Sequence, residues 1–301
     1  LVIGRRLTLL ADDPGVLDSY IYSLSHTAIH MGPFYDTYTP RGAAVLLPGS
    51  TEEVQAIVKL CNKYKIKFKA SSTFWSAQGY PMEENTIILD MRRMNRILEI
   101  DEKNMIAVIE PGVIGATLQA EAMKVGLNTH IAGSGCSCSP LASATSYLGS
   151  GPSNMYGGWH YENLLGAEWV MPTGEVLRSG SMGSGCGWFS AEGPGPGTKG
   201  VFRGFLGAKG AMGVFTKCAI KLFAWPGPKT LPVHGTVPAY KTSLPDNFKV
   251  YTLSFPDWKA WADAAYTIWD AGIGYLAHRQ FNMLGRDLKY AMIKILTDPN
   301  K

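Results

Sequence analysis

The chain has 301 residues, of which 46% are hydrophobic and 17% charged, and its formal net charge is +4. This length allows one large domain and part of a second. The charged fraction is low for a globular protein, so we expect part of the surface to be covered by another subunit or by further chain. No basic stretch with interleaved aromatic residues occurs, which argues against nucleic-acid binding.

Two further classes of protein are disfavoured. No stretch approaches the roughly 18 consecutive apolar residues of a transmembrane helix, and the first residues lack the apolar core and cleavage site of a secretory signal. We therefore expect a cytoplasmic protein, at most peripheral to a membrane. The five cysteines are sparse and odd in number, which is typical of a reducing compartment. Cys136 and Cys138 are too few for an iron–sulfur cluster, so we predict no metal site.

The first part of the chain predicts a strand–helix–strand unit. Residues 43–47 form a buried strand, which a Pro-Gly pair ends. Ser50 and Glu53 then predict a capping box at the start of an amphipathic helix. A second strand begins in residues 65–69, as expected for a right-handed parallel crossover. Ligands bind at the carboxyl ends of such strands, so the following loop, residues 70–79, is the first candidate site.

A second α/β segment is predicted for residues 105–226. It contains a helix at 114–125, a long loop at 131–163 and strands at 166–171 and 211–223. About thirty residues without secondary structure are uncommon in a compact domain unless they bind something, so the loop is the second candidate site. A flexible surface loop is the alternative interpretation.

A Pro-rich segment at residues 225–228 then separates the last part of the chain. After it, a strand at 249–255 and an amphipathic helix at 257–270 begin a new pattern, which predicts another domain. The predicted domains are residues 1–226, with subdomains of about 1–103 and 104–226, and residues 227–301, which form the beginning of an incomplete domain.

Two common nucleotide-binding motifs are excluded. Residues 195–200 match G-x-G-x-x-G as a string, but Pro194 and Pro196 prevent the strand-to-helix turn that gives this motif its function. No Walker lysine motif occurs. Neither a nicotinamide Rossmann site nor a P-loop is therefore predicted.

Five other blocks of sequence follow one another along the chain. They are LPGSTEEV at 47–54, ASSTFWSAQG at 70–79, IILDMRRMNRILEIDEKNMIAVIEPGV at 87–113, ENLLGAEWVMPTGEVLR at 162–178 and FLGAKGAMGVFTK at 205–217. In this order they resemble the FAD-binding domain of the vanillyl-alcohol oxidase / p-cresol methylhydroxylase (PCMH-type) superfamily, nearest to the glycolate oxidase / D-lactate dehydrogenase branch. The likeness extends over roughly residues 35–226.

The resemblance implies an α+β fold. It consists of a PCMH-type FAD-binding domain of two α/β subdomains, followed by the start of a ferredoxin-like α+β substrate (cap) domain. It also implies FAD as the cofactor. We expect non-covalent binding, because the loop at 70–79 contains no His, Cys or Tyr that could attach the flavin.

The loop at 70–79 stands where the family has its glycine-rich pyrophosphate loop. Its short and hydroxylated residues allow backbone N–H groups and hydroxyls to bind an anion. This chain departs from the family, which usually has glycines at the positions of Ser71, Ser72 and Thr73, and a helix-capping surface turn is the alternative. The residues predicted to bind FAD here are Ser71, Ser72, Thr73, Phe74, Trp75, Ser76, Gln78 and Gly79.

Further FAD contacts are implied along the ribityl chain, adenosine and flavin, where the backbone must approach the ligand closely. For Gly213 and Val214, an ordinary buried strand is the alternative. The predicted residues are Pro111, Gly112, Gly133, Ser134, Gly135, Ser139, Ser143, Ser146, Glu162, Asn163, Gly213 and Val214.

His160 is the candidate catalytic residue, because the resemblance places it near the edge of the flavin, where it could position a substrate or act as a base. A lone histidine is more often structural. His130 and His278 are further candidates. In the alkylphenol branch a loop tyrosine binds the phenolate, and Ser76 occupies the matching position here.

These features predict an FAD-linked dehydrogenase or oxidase acting on CH–OH donors. The substrate would be a small 2-hydroxy acid of the D-lactate or glycolate type, oxidised by hydride transfer to flavin N5. A para-alkylphenol or aromatic alcohol oxidase is one alternative, and a flavin-poor scaffold subunit of a redox complex is another. Expected partners are a small-molecule substrate, an iron–sulfur or electron-transfer flavoprotein, and further copies of the chain in a homo-oligomer.

Overall fold

A computed structural model describes twelve segments of the chain. They are residues 2–3, 6–7, 9–22, 38–131, 135–147, 149–151, 153, 157–188, 212–236, 241–246, 248–280 and 292–297. Within these segments, no helix has the length and apolar character that crossing a membrane requires.

The first sheet contains four strands. Two short strands, β1 (Val2–Ile3) and β2 (Arg6–Leu7), pair with each other outside it. The sheet has the order β3-β4-β6-β5; β3 is antiparallel to β4, whereas β4 and β5 are both parallel to the central β6. The elements of this part are β3 (Leu9–Ala11), α1 (Pro14–Asp18), β4 (Ala44–Leu47), α2 (Thr51–Tyr64), β5 (Phe68–Ser71) and β6 (Ile87–Asp90).

Helix α2 is formed much as the sequence predicts. Ser50 is its N-cap, and its side chain accepts a hydrogen bond from the Glu53 N–H at 3.3 Å. The Glu53 carboxylate accepts from the N–H of Gly49, one residue before the N-cap, at 3.0 Å, so the predicted capping box is displaced by one position. The predicted apolar face is buried against Leu46 and Leu89 of the sheet. Its members are Val54, Ile57, Val58 and Cys61.

The second sheet is entirely antiparallel and has the order β11-β10-β12-β8-β7. Short turns, rather than crossover helices, join β7 to β8 and β10 to β11, so these strands pair in an antiparallel manner. The elements of this part are β7 (Ile97–Asp101), β8 (Ile106–Ile109), α3 (Gly115–Lys124), β9 (Leu127–Asn128), α4 (Pro140–Thr145), β10 (Leu164–Val170), β11 (Val176–Arg178), β12 (Val214–Lys221) and β13 (Phe223–Ala224).

The division between the two sheets differs from the predicted subdomain boundary at residues 103 and 104. Strand β7 pairs with β8, so residues 97–101 belong to the second sheet, and the first sheet ends with β6 at Asp90. The main core lies between the second sheet and α3, where Leu118 and Ala122 are buried with Ile109 and Ile220.

A carboxylate in β10 joins the first two sheets. Glu168 is 2% exposed, and its Oε1 accepts hydrogen bonds from Thr51 Oγ1 of α2 at 2.6 Å and Lys217 Nζ of β12 at 2.7 Å. Arg178 Nε donates to its Oε2 at 2.9 Å. Burial raises the pKa of Glu168, but the hydrogen bonds and charges of these partners outweigh it and lower the pKa to about 2.

The last part of the chain contains a short hairpin and a third sheet of order β16-β18-β17. Both pairings in this sheet are antiparallel, which matches the β-α-β-β portion of a ferredoxin-like unit. Its elements are β14 (Val233–His234), β15 (Lys241–Thr242), β16 (Val250–Ser254), α5 (Trp258–Ala271), β17 (Gly274–Gln280) and β18 (Met292–Thr297). Tyr275 is buried; its hydroxyl accepts from Asn128 Nδ2 at 3.1 Å and donates to the Ala224 carbonyl at 3.3 Å.

Candidate functional site

A cleft lies at the carboxyl end of β5, between the first sheet and the second. It encloses about 920 Å³ of empty space, including its open mouth. Its lining comes from β5 and the loop after it, from α4 and its flanks, and from the start of β12. The lining residues are Lys69, Ala70, Ser71, Ser72, Thr73, Phe74, Trp75, Ser76, Gln78, Gly79, Met91, Pro111, Cys138, Ser139, Leu141, Ala142, Ser143, Ser146, Tyr147, Gly213, Val214 and Phe215.

Most of the residues predicted to bind the cofactor line this one cleft, although they are far apart in the sequence. All eight predicted residues of the loop at 71–79 do so. The others are Pro111, Ser139, Ser143, Ser146, Gly213 and Val214. Gly112, Gly135, Glu162 and Asn163 do not line it, and Gly133 and Ser134 lie outside the described residues.

The loop after β5, which we call the anion loop (residues 71–79), offers donors that are not used by the protein. Within the described part of the chain, the hydroxyls of Ser71, Ser72, Thr73 and Ser76 make no hydrogen bond to another residue. Phe74 has a φ of 54°, in the left-handed region that anion-binding backbone nests use. The loop therefore presents free hydroxyls and a backbone turn suited to an anion.

Two glycines of the cleft lie close to neighbouring atoms. A Cβ added at Gly79 would lie 2.5 Å from Ser71 Oγ, within the anion loop. Gly213 has a φ of +99°, and an added Cβ would lie 2.3 Å from the Val170 carbonyl oxygen. Gly213 therefore requires glycine, and its backbone forms the wall of the cleft directly, whereas a side chain at Gly79 would require the Ser71 hydroxyl to turn away.

The wall formed by residues 138–147, which we call the helical wall, is built differently. Ser139 is the N-cap of α4; its Oγ accepts from the Ala142 N–H at 3.2 Å and donates to the Pro111 carbonyl at 2.7 Å. Thr145 Oγ1 donates to the Leu141 carbonyl at 2.9 Å. These hydroxyls hold the wall together and are not free to bind a ligand in the same way as those of the anion loop.

Several lining residues were missed by the sequence analysis. Lys69 lies on β5 next to the loop, and burial lowers the pKa of its amine. Trp75, which was predicted, and Tyr147, which was not, are each 45% exposed on the lining. The position of Lys69 just before the loop was a usable signal, whereas Met91, Leu141, Tyr147 and Phe215 carry no local signal.

His160 does not line the cleft, contrary to its predicted catalytic role. Its side chain is 2% exposed, and its Nε2 donates to the His130 carbonyl at 2.7 Å. Burial, together with the neighbouring His130, lowers the pKa of His160 to about 3. A neutral, enclosed imidazole is suited to holding the chain together, so the position of His160 supports a structural role. The side chain of His278 lies outside the described residues.

Glu162, Asn163 and Gly112 also hold local structure. Glu162 Oε2 accepts from the Trp159 N–H at 2.8 Å, and Asn163 Nδ2 donates to the Gly157 carbonyl at 2.7 Å. An added Cβ at Gly112 would lie 2.8 Å from the Met94 carbonyl oxygen, so this glycine permits a tight turn. Their predicted contact with the cofactor has no support in the lining of the cleft.

Comparison with known proteins gives related sequences. A family model described as an FAD binding domain matches residues 42–180. Glycolate oxidase subunit GlcD of Bacillus subtilis is 27% identical over 189 residues, covering 62% of this chain and 38% of that protein. The flavoprotein subunit of 4-cresol dehydrogenase of Pseudomonas putida is 29% identical over 146 residues, covering 47% and 27%. The mitochondrial cytochrome D-lactate dehydrogenase of Arabidopsis thaliana is 25% identical over 231 residues, covering 76% and 35%.

The chain thus spans 27% to 38% of the length of these relatives. Among solved structures, 4-ethylphenol oxidase from Gulosibacter chungangensis superposes with a TM-score of 0.71 at 23% identity, covering 96% of this chain and 56% of that one. This likeness confirms the predicted α+β PCMH-type fold.

Two independent observations fit an FAD site in the cleft. The anion loop supplies hydroxyls without protein partners in the described part of the chain, as a pyrophosphate requires. Gly213 leaves no space for a side chain and lets the backbone form the wall. These observations agree with the match of residues 42–180 to an FAD binding domain, which supports FAD as the cofactor that the cleft would hold.

Proposed function

We propose that the cleft is the FAD site and that the protein is an oxidoreductase acting on the CH–OH group of a small 2-hydroxy acid. The observation that carries the proposal is the anion loop, whose hydroxyls line the cleft without protein partners among the described residues. These hydroxyls lie on the cleft wall, where a bound anion would give each of them a hydrogen-bond acceptor.

The residues of the cleft fall into two groups, one that would bind the pyrophosphate and one that forms the apolar lining. Ser71, Ser72, Thr73 and Ser76 would donate hydrogen bonds to the pyrophosphate, and the binding would be non-covalent. Met91, Leu141 and Phe215 provide apolar lining that excludes water. When bound, the flavin supplies a two-electron oxidant for a C–H bond, and the protein has to hold and orient it.

The choice of a 2-hydroxy acid is supported by the glycolate oxidase subunit and the D-lactate dehydrogenase among the relatives. Ser76 supports it further, because it stands where the alkylphenol branch is expected to have a tyrosine. A base must accept the hydroxyl proton of the substrate. The titratable side chains of the described lining are Lys69, Cys138 and Tyr147, and no histidine is among them.

An aromatic substrate is the second candidate. The half-exposed rings of Trp75 and Tyr147 on the lining could stack on an aromatic ring. The similarity to 4-cresol dehydrogenase and 4-ethylphenol oxidase is consistent with this alternative. The scaffold interpretation is weaker, because it depended on the absence of glycines at 71–73, whereas Phe74 itself takes the left-handed conformation that a glycine would supply.

We further propose that electrons leave through an iron–sulfur or electron-transfer flavoprotein partner. One relative is by name a flavoprotein subunit, which supports an assembly. A homo-oligomer and a cytoplasmic location, at most peripheral to a membrane, stay predictions from the sequence.

The test is to purify the full-length protein and record its absorption spectrum, then add candidate substrates without oxygen. We expect flavin bands, bleaching by D-lactate or glycolate, and little response to a para-alkylphenol. Release of FAD by acid denaturation would support non-covalent binding. Bleaching by the phenol alone would select the aromatic candidate, and a folded protein that binds no added FAD would refute the proposed site.

A further inference from the structure

The anion loop is held from behind by a group of side chains that we call the brace: Tyr20, Phe74, Tyr80, Asp90 and Arg92. Asp90 ends β6 and is 1% exposed. Tyr20 follows α1, which lies before the residues that match the FAD-binding family. The brace therefore connects the N-terminal segment to the loop across the first sheet.

The polar part of the brace is a closed set of hydrogen bonds around Asp90. The Tyr20 hydroxyl donates to Asp90 Oδ2 at 2.7 Å, and Arg92 Nη2 donates to the same oxygen at 2.6 Å. Arg92 Nε donates to Asp90 Oδ1 at 3.0 Å, and Arg92 Nη2 also donates to the Tyr20 hydroxyl at 3.1 Å. Each partner thus fixes the other two.

The aromatic part of the brace encloses Phe74. The ring centroids of Tyr20 and Tyr80 each lie 5.2 Å from that of Phe74, in edge-to-face arrangements. The Arg92 guanidinium carbon lies 5.1 Å from the same centroid. Contacts on several sides restrict the position of the ring and therefore of its backbone.

Phe74 needs such restraint because its backbone is left-handed, with a φ of 54°. A bulky residue adopts this region only where the surrounding structure compensates for the strain. Among the described residues of the anion loop, Phe74 is the one non-glycine residue that has a positive φ. Its conformation decides where the N–H groups of the loop point.

We propose that the brace holds Phe74 in its left-handed conformation and so keeps the anion loop ready to bind the pyrophosphate of FAD. Tyr20 is then a positioning residue for the cofactor, although it lies outside the matched family region and does not line the cleft. This inference rests on the proposed FAD site.

The first test compares wild type with Tyr20→Phe, which removes the hydroxyl but keeps the ring. Asp90 remains paired with Arg92 in this variant, so no buried charge is left alone. We expect the Kd values for FAD and ADP to rise about five-fold, the effect of one hydrogen bond. The Kd for riboflavin, which has no pyrophosphate, should change less than about two-fold. Tyr22→Phe is the control, because the Tyr22 hydroxyl makes no hydrogen bond within the described part of the chain.

The second test asks whether the effect passes through Phe74. Glycine adopts positive φ without strain, so in a Phe74→Gly background the Tyr20→Phe change should no longer weaken FAD binding. Arg92→Lys, which keeps the charge and loses the two-pronged contact, should show the same dependence and serves as a second variant if Tyr20→Phe does not fold.

The outcomes separate the two proposals. Wild type that binds neither FAD nor ADP refutes the FAD site and the brace together. Wild type that binds FAD while Tyr20→Phe and Arg92→Lys bind it equally well refutes the brace alone. The brace is also refuted if riboflavin binding weakens as much as FAD binding, or if the effect persists undiminished in the Phe74→Gly background.

Discussion

The two walls of the cleft contain similar residues and use some of them differently. The anion loop and the helical wall are both rich in serine and threonine. In the anion loop the hydroxyls make no hydrogen bond to other described residues, whereas Ser139 and Thr145 of the helical wall are bonded to main-chain groups. A hydroxyl on a binding surface is therefore available to a ligand only where it does not already make a hydrogen bond within the protein.

The largest expected effect comes from adding one carbon to the wall of the cleft at Gly213. In Gly213→Ala the new Cβ would lie 2.3 Å from the Val170 carbonyl oxygen, on a backbone with a φ of +99°, so the wall must move. We expect the Kd for FAD to rise about 100-fold, corresponding to about 2.7 kcal/mol, as measured by flavin fluorescence titration. Gly166→Ala is the control, because its nearest contact would be an ordinary 3.6 Å. Equal loss of binding in both variants would contradict the assignment.

The second prediction concerns the pH dependence of stability that the buried His160 causes. His160 lies against the predicted loop at 131–163, since its main-chain N–H donates to the Gly149 carbonyl at 3.2 Å. Its folded pKa of about 3 lies below its ordinary value of 6.5, so the unfolded state binds the proton more readily. The contribution of the neutral His160 to the free energy of unfolding is therefore fully present above pH 6.5, and it is lost as the pH falls toward 3.

Between pH 7 and pH 5 this amounts to about 2 kcal/mol of unfolding free energy. Denaturant unfolding of the FAD-free protein at several pH values measures it. His160→Gln should flatten the dependence between pH 7 and pH 5. The loss below pH 4.5 should remain, because there the unfolded state protonates Glu168 while the folded state, with the pKa lowered to about 2, keeps it ionised. An unchanged pH profile in the variant would show that His160 is not the group responsible.

The third prediction concerns Ser139 of the helical wall. Ser139→Ala removes the N-cap of α4 and the hydrogen bond to the Pro111 carbonyl. We expect the FAD-free protein to lose about 1–2 kcal/mol of unfolding free energy, with a lower Tm. Ser146→Ala is a milder control in the same wall. If Ser139→Ala leaves the Tm unchanged and only weakens FAD binding, Ser139 is a ligand contact instead of a structural one.

The smallest expected effect is at Ser72 of the anion loop. Because its hydroxyl has no protein partner among the described residues, Ser72→Ala should leave the Tm of the FAD-free protein unchanged. The Kd for FAD should rise about five-fold, the effect of one hydrogen bond. Calorimetry and titration of the same preparation give both quantities. A fall in Tm with no change in Kd would place Ser72 in the structural class with Ser139.

The local features of this fold were predictable from the sequence. Helix α2, its Ser50 cap and its buried face were predicted from apolar spacing and cap residues, which act within a few positions of the chain. The antiparallel second sheet was not, because strand direction depends on which distant segment pairs with which. Strand β12 pairs with β8 across more than a hundred residues of sequence, and no local pattern encodes that choice.

The candidate site shows the same division. The resemblance of five sequence blocks to an FAD-binding family predicted the anion loop and most of the residues that line the cleft. The sequence did not reveal that Ser139 and His160 are hydrogen-bonded to partners elsewhere in the folded chain. Only the tertiary structure decided that Phe74 is held in a left-handed conformation by Tyr20 and Arg92. The physical reason is that burial and hydrogen-bond partners are properties of the packed chain, while cap, turn and periodicity preferences act within a few residues.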